Sequence, residues 1–241
     1  MRDKKKVPQL NTQNPKLKTL SNRVKDRDIE RVVAILEETV RKWDLPIVSH
    51  LAKVRRDPFL ILISTLLSLR TKDEVTAEAS KRLFSLATTP EEMLTLSPQA
   101  IAKAIYPVGF YRKKAATLLS VCQDLKDRFN SHVPGTIEEL LTIQGVGRKT
   151  ANLVVTLGFH GEGICVDTHV HRVSNRLGYV KTKTPEQTEF ALRDKLPRRY
   201  WTDINTLLVA FGRRICTPIS PFCSKCPVRT YCDRVGVTKS R

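Results

Sequence analysis

Thr71-Lys-Asp-Glu74, Thr89-Pro-Glu-Glu92, Thr136-Ile-Glu-Glu139 and Thr184-Pro-Glu-Gln187 share one pattern: a hydroxyl followed three residues later by a carboxyl or amide. In this capping box the two side chains satisfy free backbone N–H groups at the start of a helix. Four such starts in one chain leave little room for a sheet. Asp57 before Pro58 and Ser97 before Pro98 mark two more, because proline at the first helical position loses no hydrogen bond. Apolar residues recur at helical spacing through Ile29, Val32, Val33, Leu36 and Val40, and again through Ala115, Leu118, Leu119, Cys122 and Leu125. The chain is therefore expected to be all-α.

Residues 1–25 differ in kind. They are polar, lysine-rich and contain proline without a usable period, and are expected to form a basic flexible tail. The whole chain carries 42 Lys and Arg against 24 Asp and Glu, a formal net charge of +18. Such a balance calls for a polyanionic partner, either nucleic acid or an anionic membrane surface. The longest apolar run, Phe59 to Leu67, is broken by Ser64 and Thr65 and falls well short of the roughly 20 residues that span a bilayer. No apolar stretch follows the basic N-terminus, so no secretory signal is read there, and a cytoplasmic, nucleoid-associated location without a membrane partner is expected.

Four of the six cysteines are clustered as Cys216-x6-Cys223-x2-Cys226-x5-Cys232. Four thiolates on one short loop can hold tetrahedral zinc or an iron-sulfur cluster, and the spacing leaves both open. Lys225, Arg229 and Arg234 are interleaved with them and could meet phosphate while a metal fixes the backbone. Cys122 and Cys165 stand alone in apolar text and read as buried, inert thiols.

A second motif is Ile143-Gln-Gly145-Val146-Gly147-Arg148-Lys149-Thr-Ala151, between a capped helix and an apolar helical stretch. Two glycines around one apolar residue permit a tight hairpin whose backbone N–H groups, beside a helix N-terminus, make a phosphate clamp. A helix-hairpin-helix is the expected structure, with a plain connector as the bland alternative. Lys149 falls in the first turn of the second helix, where the helix end and neighbouring Arg148 both disfavour an ammonium. It reads either as a nucleophilic amine or as a phosphate contact. Asp167, in Val166-Asp167-Thr-His169-Val-His-Arg172, reads first as the N-cap of a helix beginning near Thr168, a role compatible with catalysis. His169 is either a structural histidine or a group close to the reaction.

Taken together, the hairpin with Lys149, the Val-Asp-Thr-His-x-x-Arg-Val stretch and the cysteine tail resemble the endonuclease III family in identity, order and separation. Leu66-Leu-Ser68-Leu-Arg70-Thr-Lys-Asp73 and Val108-Gly109-Phe110-Tyr111-Arg-Lys-Lys114-Ala resemble its early helix and wedge-loop segments, and the likeness runs from about Val32 to Cys232. The resemblance implies two helical domains flanking a DNA cleft: a continuous six-helix domain over 52–162, and a cluster domain made of 26–51 plus 163–241. It implies Lys149 as a Schiff-base lysine, Asp167 as the essential carboxylate, and a 4Fe-4S cluster on the four cysteines. Gly145, Val146, Gly147 and Arg148 would meet DNA through the hairpin. Phe110 stands where the family inserts an apolar wedge, and Arg70 where a side chain meets the orphaned partner base.

The implied activity is that of a bifunctional glycosylase and AP lyase, a monomer that removes oxidised pyrimidines from double-stranded DNA and cleaves at abasic sites. Phe110, Arg70 and Gln144 depart from the leucine, glutamine and proline common at those positions. Arginine only donates, which favours acceptor edges such as those of guanine in the opposite strand. Two other readings are a mismatch-specific glycosylase, against which Lys149 argues, and a non-catalytic iron-sulfur or zinc DNA-binding or redox-sensing module.

Overall fold

The structure, a computed structural model, describes residues 26–43, 46–54 and 56–241. The tail expected over 1–25 lies outside the described residues. Among these the chain is all-α, with no strand. Helices α1 (Asp26–Val40) and α2 (Ile47–Val54) precede α3 (Pro58–Ser68), α4 (Asp73–Phe84), α5 (Pro90–Leu94) and α6 (Pro98–Ile105). The long α7 (Tyr111–Phe129) and the short α8 (Ile137–Leu141) lead to α9 (Arg148–Phe159). Then come α10 (Thr168–Leu177), α11 (Pro185–Lys195) and α12 (Ile204–Arg214), and a loop with two short 3-10 turns carries the clustered cysteines. No described helix is long and apolar enough to cross a membrane.

Five of the six expected helix starts are capped as the sequence dictates. Thr89, Thr136 and Thr184 accept from the N–H of Glu92, Glu139 and Gln187, while Asp57 and Ser97 cap α3 and α6 ahead of their prolines. The sixth differs. Lys72 occupies the N-cap of α4 and offers no side-chain bond there. The Thr71 hydroxyl is taken instead by Gly109 N and Lys114 Nζ, both at 3.2 Å. A long-range tertiary contact has displaced the local cap.

The apolar interior falls into two clusters. One gathers α3 to α9, including Ile61, Leu67, Leu83, Ile101, Leu118, Cys122 and Val154, and it also takes Val48 and Ala52 from α2. The other gathers α1 and α10 to α12, including Val33, Leu36, Val173, Leu208 and Phe211. The central helix α3 is buried from Phe59 through Leu67, Ser64 and Thr65 included, and packs against α9, so the helix that carries Lys149 rests on the most buried element of the first cluster. Asp167 opens α10, which packs on α12 in the second cluster. The junction between the clusters is thus where the two candidate groups meet.

Candidate active site between the two cores

Thr136 starts α8, and the chain then turns through 142–147 into α9. Ile143 and Val146 bury their side chains in the first cluster, and Val146 N donates to Ile143 O at 3.1 Å to close the turn. Val146 therefore leaves only its backbone at the surface. Gly145 has φ +94°, and a Cβ there would lie 2.7 Å from Thr117 Cγ2, so glycine is required on both counts. Gly147 is different: its backbone is extended, with nothing within 4 Å of a Cβ position. Its missing side chain leaves the start of α9 bare, with no side-chain cap, so the N–H groups there are open to an anion.

Lys149 is the second residue of α9, and its Nζ lies 3.9 Å from Asp167 Oδ2. The Lys149 side chain is 38% exposed and that of Asp167 only 11%. Asp167 divides its work between its oxygens. Oδ1 accepts from His169 N at 2.8 Å and Val170 N at 2.9 Å, capping α10, and Oδ2 is left facing the amine. The segment between them is pinned from both sides: Cys165 Sγ donates to Lys149 O at 3.6 Å, and Asn205 Nδ2 donates to Cys165 O at 3.0 Å. Burial pushes the Cys165 and Cys122 thiols up to about 12, which fits the reading of both as inert.

Arg148 does not act as a free cation beside Lys149. Its Nε and Nη2 donate to the two oxygens of Glu189, at 2.8 and 3.0 Å, and its guanidinium lies over Phe190. Glu189 is buried and is also paired to Arg193 at 3.0 Å. Arg148 is thus committed to fixing α9 against α11. His169 is likewise occupied. Its Nδ1 sits 3.1 Å from Arg172 Nη2, and α12 passes so close that a Cβ at Gly212 would meet it at 2.8 Å. Burial and the nearby arginines hold its pKa below the ordinary value despite Asp167.

A second charge pair crosses the junction. Arg213, at the end of α12, donates to both oxygens of Asp73, at the start of α4, at 2.6 and 3.0 Å. Ile47 N also donates to Asp73, at 3.2 Å. Burial alone would raise the Asp73 pKa, but its bonds to Arg213 hold it below the ordinary carboxylate value. Asp73, Glu189 and Lys114 were not singled out by spacing, since each meets partners more than 25 residues away.

Arg70 and Phe110 stand on separate loops yet face each other, the guanidinium 5.9 Å from the ring. Phe110 is 64% exposed, so ordinary core packing does not explain it. Both residues are left-handed, with φ 55° and 60°, which is costly without a glycine. They line one pocket with Lys113, Lys114 and Gly145. The wedge-loop segment and the hairpin therefore open on the same hollow.

Cys216, Cys223, Cys226 and Cys232 line a further pocket, walled by apolar groups such as Leu177, Phe211 and Val228. Arg176 Nη1 donates to Cys216 Sγ at 3.5 Å and Arg234 N to Cys232 Sγ at 3.4 Å. Burial pushes Cys226 and Cys232 up to about 11, and the neighbouring thiols add to it. A donor set of four thiols with N–H groups aimed at sulfur suits a thiolate-held metal centre. Among the described residues no three His, Cys, Asp or Glu side chains are grouped closely enough to hold a metal ion. All four cysteines nonetheless line the same pocket.

A helical fold with a bare-ended hairpin, a lysine-carboxylate pair at the junction of two cores and a thiol pocket defines a helix-hairpin-helix DNA repair protein. In agreement, residues 63–198 match the model of the HhH-GPD superfamily of base excision DNA repair proteins. Endonuclease III of Thermotoga maritima is 49% identical over 177 residues, 73% of this chain and 83% of that protein. The mouse endonuclease III-like protein 1 is 42% identical over 183 residues, 75% of this chain and 60% of its own length. A solved structure of a trapped endonuclease III–DNA covalent intermediate superposes with a TM-score of 0.77 at 32% identity, covering 86% of this chain and 95% of that one. A thermostable thymine-DNA glycosylase superposes at 0.75 with 26% identity, covering 86% and 96%. The chain belongs to the endonuclease III family of base excision repair DNA glycosylases and AP lyases.

Proposed function

We propose that Lys149 and Asp167 carry out both reactions, base release and strand cleavage, on oxidised or ring-saturated pyrimidines in duplex DNA. The observation that carries this is the 3.9 Å approach of a partly exposed Nζ to a carboxylate oxygen left free by helix capping. Asp167 stabilises positive charge developing on the sugar as the C1′–N bond breaks, and accepts a proton from the amine. Lys149 Nζ forms a bond to C1′ and loses its second proton; the C1′–O4′ bond then breaks, O4′ takes up a proton, and the opened sugar is left as a protonated imine on the lysine. The imine acidifies the C2′ proton; its removal expels the 3′ phosphate by β-elimination, and hydrolysis then frees the lysine. Before any of this the damaged nucleotide must leave the stack, at a cost of about a few kcal/mol, least for an already weakened base.

DNA enters the junction between two domains whose cores are the two apolar clusters. Phosphate is held by the backbone of Gly145 to Gly147, since Arg148 is paired elsewhere. Phe110 fills the gap left by the extruded base, and Arg70 meets its orphaned partner. All these groups come from one chain, so a monomer suffices. The four cysteines, which line one apolar-walled pocket, would hold the 4Fe-4S cluster that the family resemblance implies. When bound, the cluster supplies a covalent anchor for the C-terminal loop. Arg172 joins that anchor to the site, donating from α10 to Cys216 O at 3.0 and 3.2 Å.

Borohydride trapping on duplexes with thymine glycol or an abasic site tests the reading. Wild type is expected to give a covalent adduct on both and Lys149→Ala on neither. Absence of an adduct from wild type that still binds DNA tightly would remove the lyase mechanism.

A further inference from the structure

Lys114, in the first turn of α7, takes no part in the chemistry above, yet it is half-buried and fully engaged. Its Nζ donates to Leu67 O and Leu69 O, at 2.6 Å each, and to Thr71 Oγ1 at 3.2 Å. Three N–H donors thus meet three acceptors. Two of these are carbonyls at the C-terminal end of α3, where a cation is favoured. The third, the Thr71 hydroxyl, also accepts from Gly109 N at 3.2 Å. One ammonium therefore ties the end of α3 to the turn before α7.

The residues next to these anchor points are Arg70 and Phe110. The two backbones are in contact here, because a Cβ at Gly109 would lie 2.8 Å from Arg70 O. Left-handed backbone at two non-glycine positions persists only where the surroundings fix it, and the Lys114–Thr71 bridge does so for both at once. Arg70 and Lys113, which share the pocket, are both cationic. Burial brings the Lys114 pKa down to about 8.

We infer that Lys114 is a positioning residue for duplex readout: through Thr71 it locks Arg70 and Phe110 into one rigid probe that enters the helix as a unit. This rests on the reading of Arg70 and Phe110 as the inserting pair. A neutral amine has only two N–H groups for three acceptors and no charge to meet the helix end, so the lock weakens as pH rises through about 8.

The test uses the full-length protein on two substrates. Single-turnover release of thymine glycol from a duplex needs the probe; trapping on a single-stranded abasic oligonucleotide does not. Lys114→Met and Thr71→Val are each expected to slow the duplex reaction about tenfold or more, as small misplacements of a positioning group do, with single-strand trapping unchanged. A 2-aminopurine opposite an uncleavable abasic analogue should unstack in wild type and much less in either variant. In wild type the duplex-to-single-strand rate ratio should fall above pH 8, and in Lys114→Met it should be flat, the shared titration of the chemistry cancelling.

Full duplex activity in Lys114→Met and Thr71→Val, beside impaired Phe110→Ala and Arg70→Ala, would overturn the lock and leave the inserting pair intact. Full activity in all four would remove the inserting pair and the lock with it. Equal loss on both substrates would reduce Lys114 to a folding residue. Should Lys114→Met not fold, Thr71→Val decides, since it removes one hydroxyl and keeps the shape.

Discussion

Asp167 serves two masters, and its two oxygens allow the roles to be separated. Asn still caps a helix about as well as Asp. Asp167→Asn should therefore unfold within about 1 kcal/mol of wild type yet release base at least on the order of a hundredfold more slowly, whereas Asp167→Ala should lose stability as well. Thermal unfolding and single-turnover kinetics on the same preparations separate the effects; equal activity in Asp167→Asn would take the carboxylate out of the reaction. Phe110 invites the opposite experiment. Its exposed ring and left-handed backbone make Phe110→Gly neutral or stabilising, because relief of roughly 1 kcal/mol of strain offsets the added chain entropy. If stability holds while duplex cleavage falls, phenylalanine is kept there for DNA. A marked drop in the melting midpoint would instead make the ring a structural support.

At the scale of elements, α9 is held by partners on three sides. It lies on α3 below, Cys165 bonds the Lys149 carbonyl, and Glu189 of α11 grips Arg148. The Glu189 carboxylate is buried between two arginines, so Glu189→Ala strands both cations and should cost roughly 3 kcal/mol. Urea unfolding checks this, and a loss below about 1 kcal/mol would show the pair to be solvated in solution. The capping hydroxyls, the apolar spacing and the hairpin glycine were legible in the sequence because each acts within one helical turn. Thr71 departs from its local pattern for the complementary reason. Its box is locally complete, but Lys114 and Gly109, some 40 positions away in the chain, take the hydroxyl.

For the molecule as a whole, charge and titration set the conditions of work. With a net charge of +18, and on the proposal that the cleft meets about six phosphates, duplex affinity should fall on the order of a thousandfold between about 50 and 200 mM salt. Fluorescence anisotropy across that range measures it, and a flat response would contradict a phosphate-lined cleft. His169 and His171 both have pKa values lowered by burial. A lowered folded-state pKa means the unfolded chain binds protons first. Their contribution to stability is complete above the ordinary value of 6.5 and is lost as pH falls through their lower folded-state values. The melting midpoint should accordingly decline from pH 7 to 5, before the Asp73–Arg213 bridge begins to protonate. The sequence by itself determined the helices, the hairpin turn, the four-thiol loop and the pairing of a lysine with a carboxylate, since capping, periodicity and family motifs are written in short stretches. Tertiary structure alone decided that Arg148 is spent on Glu189, that His169 is wedged against Gly212, and that Lys114 bonds the end of α3 and Thr71. Those outcomes depend on which distant groups come within about 3 Å of one another, a distance that no local pattern encodes.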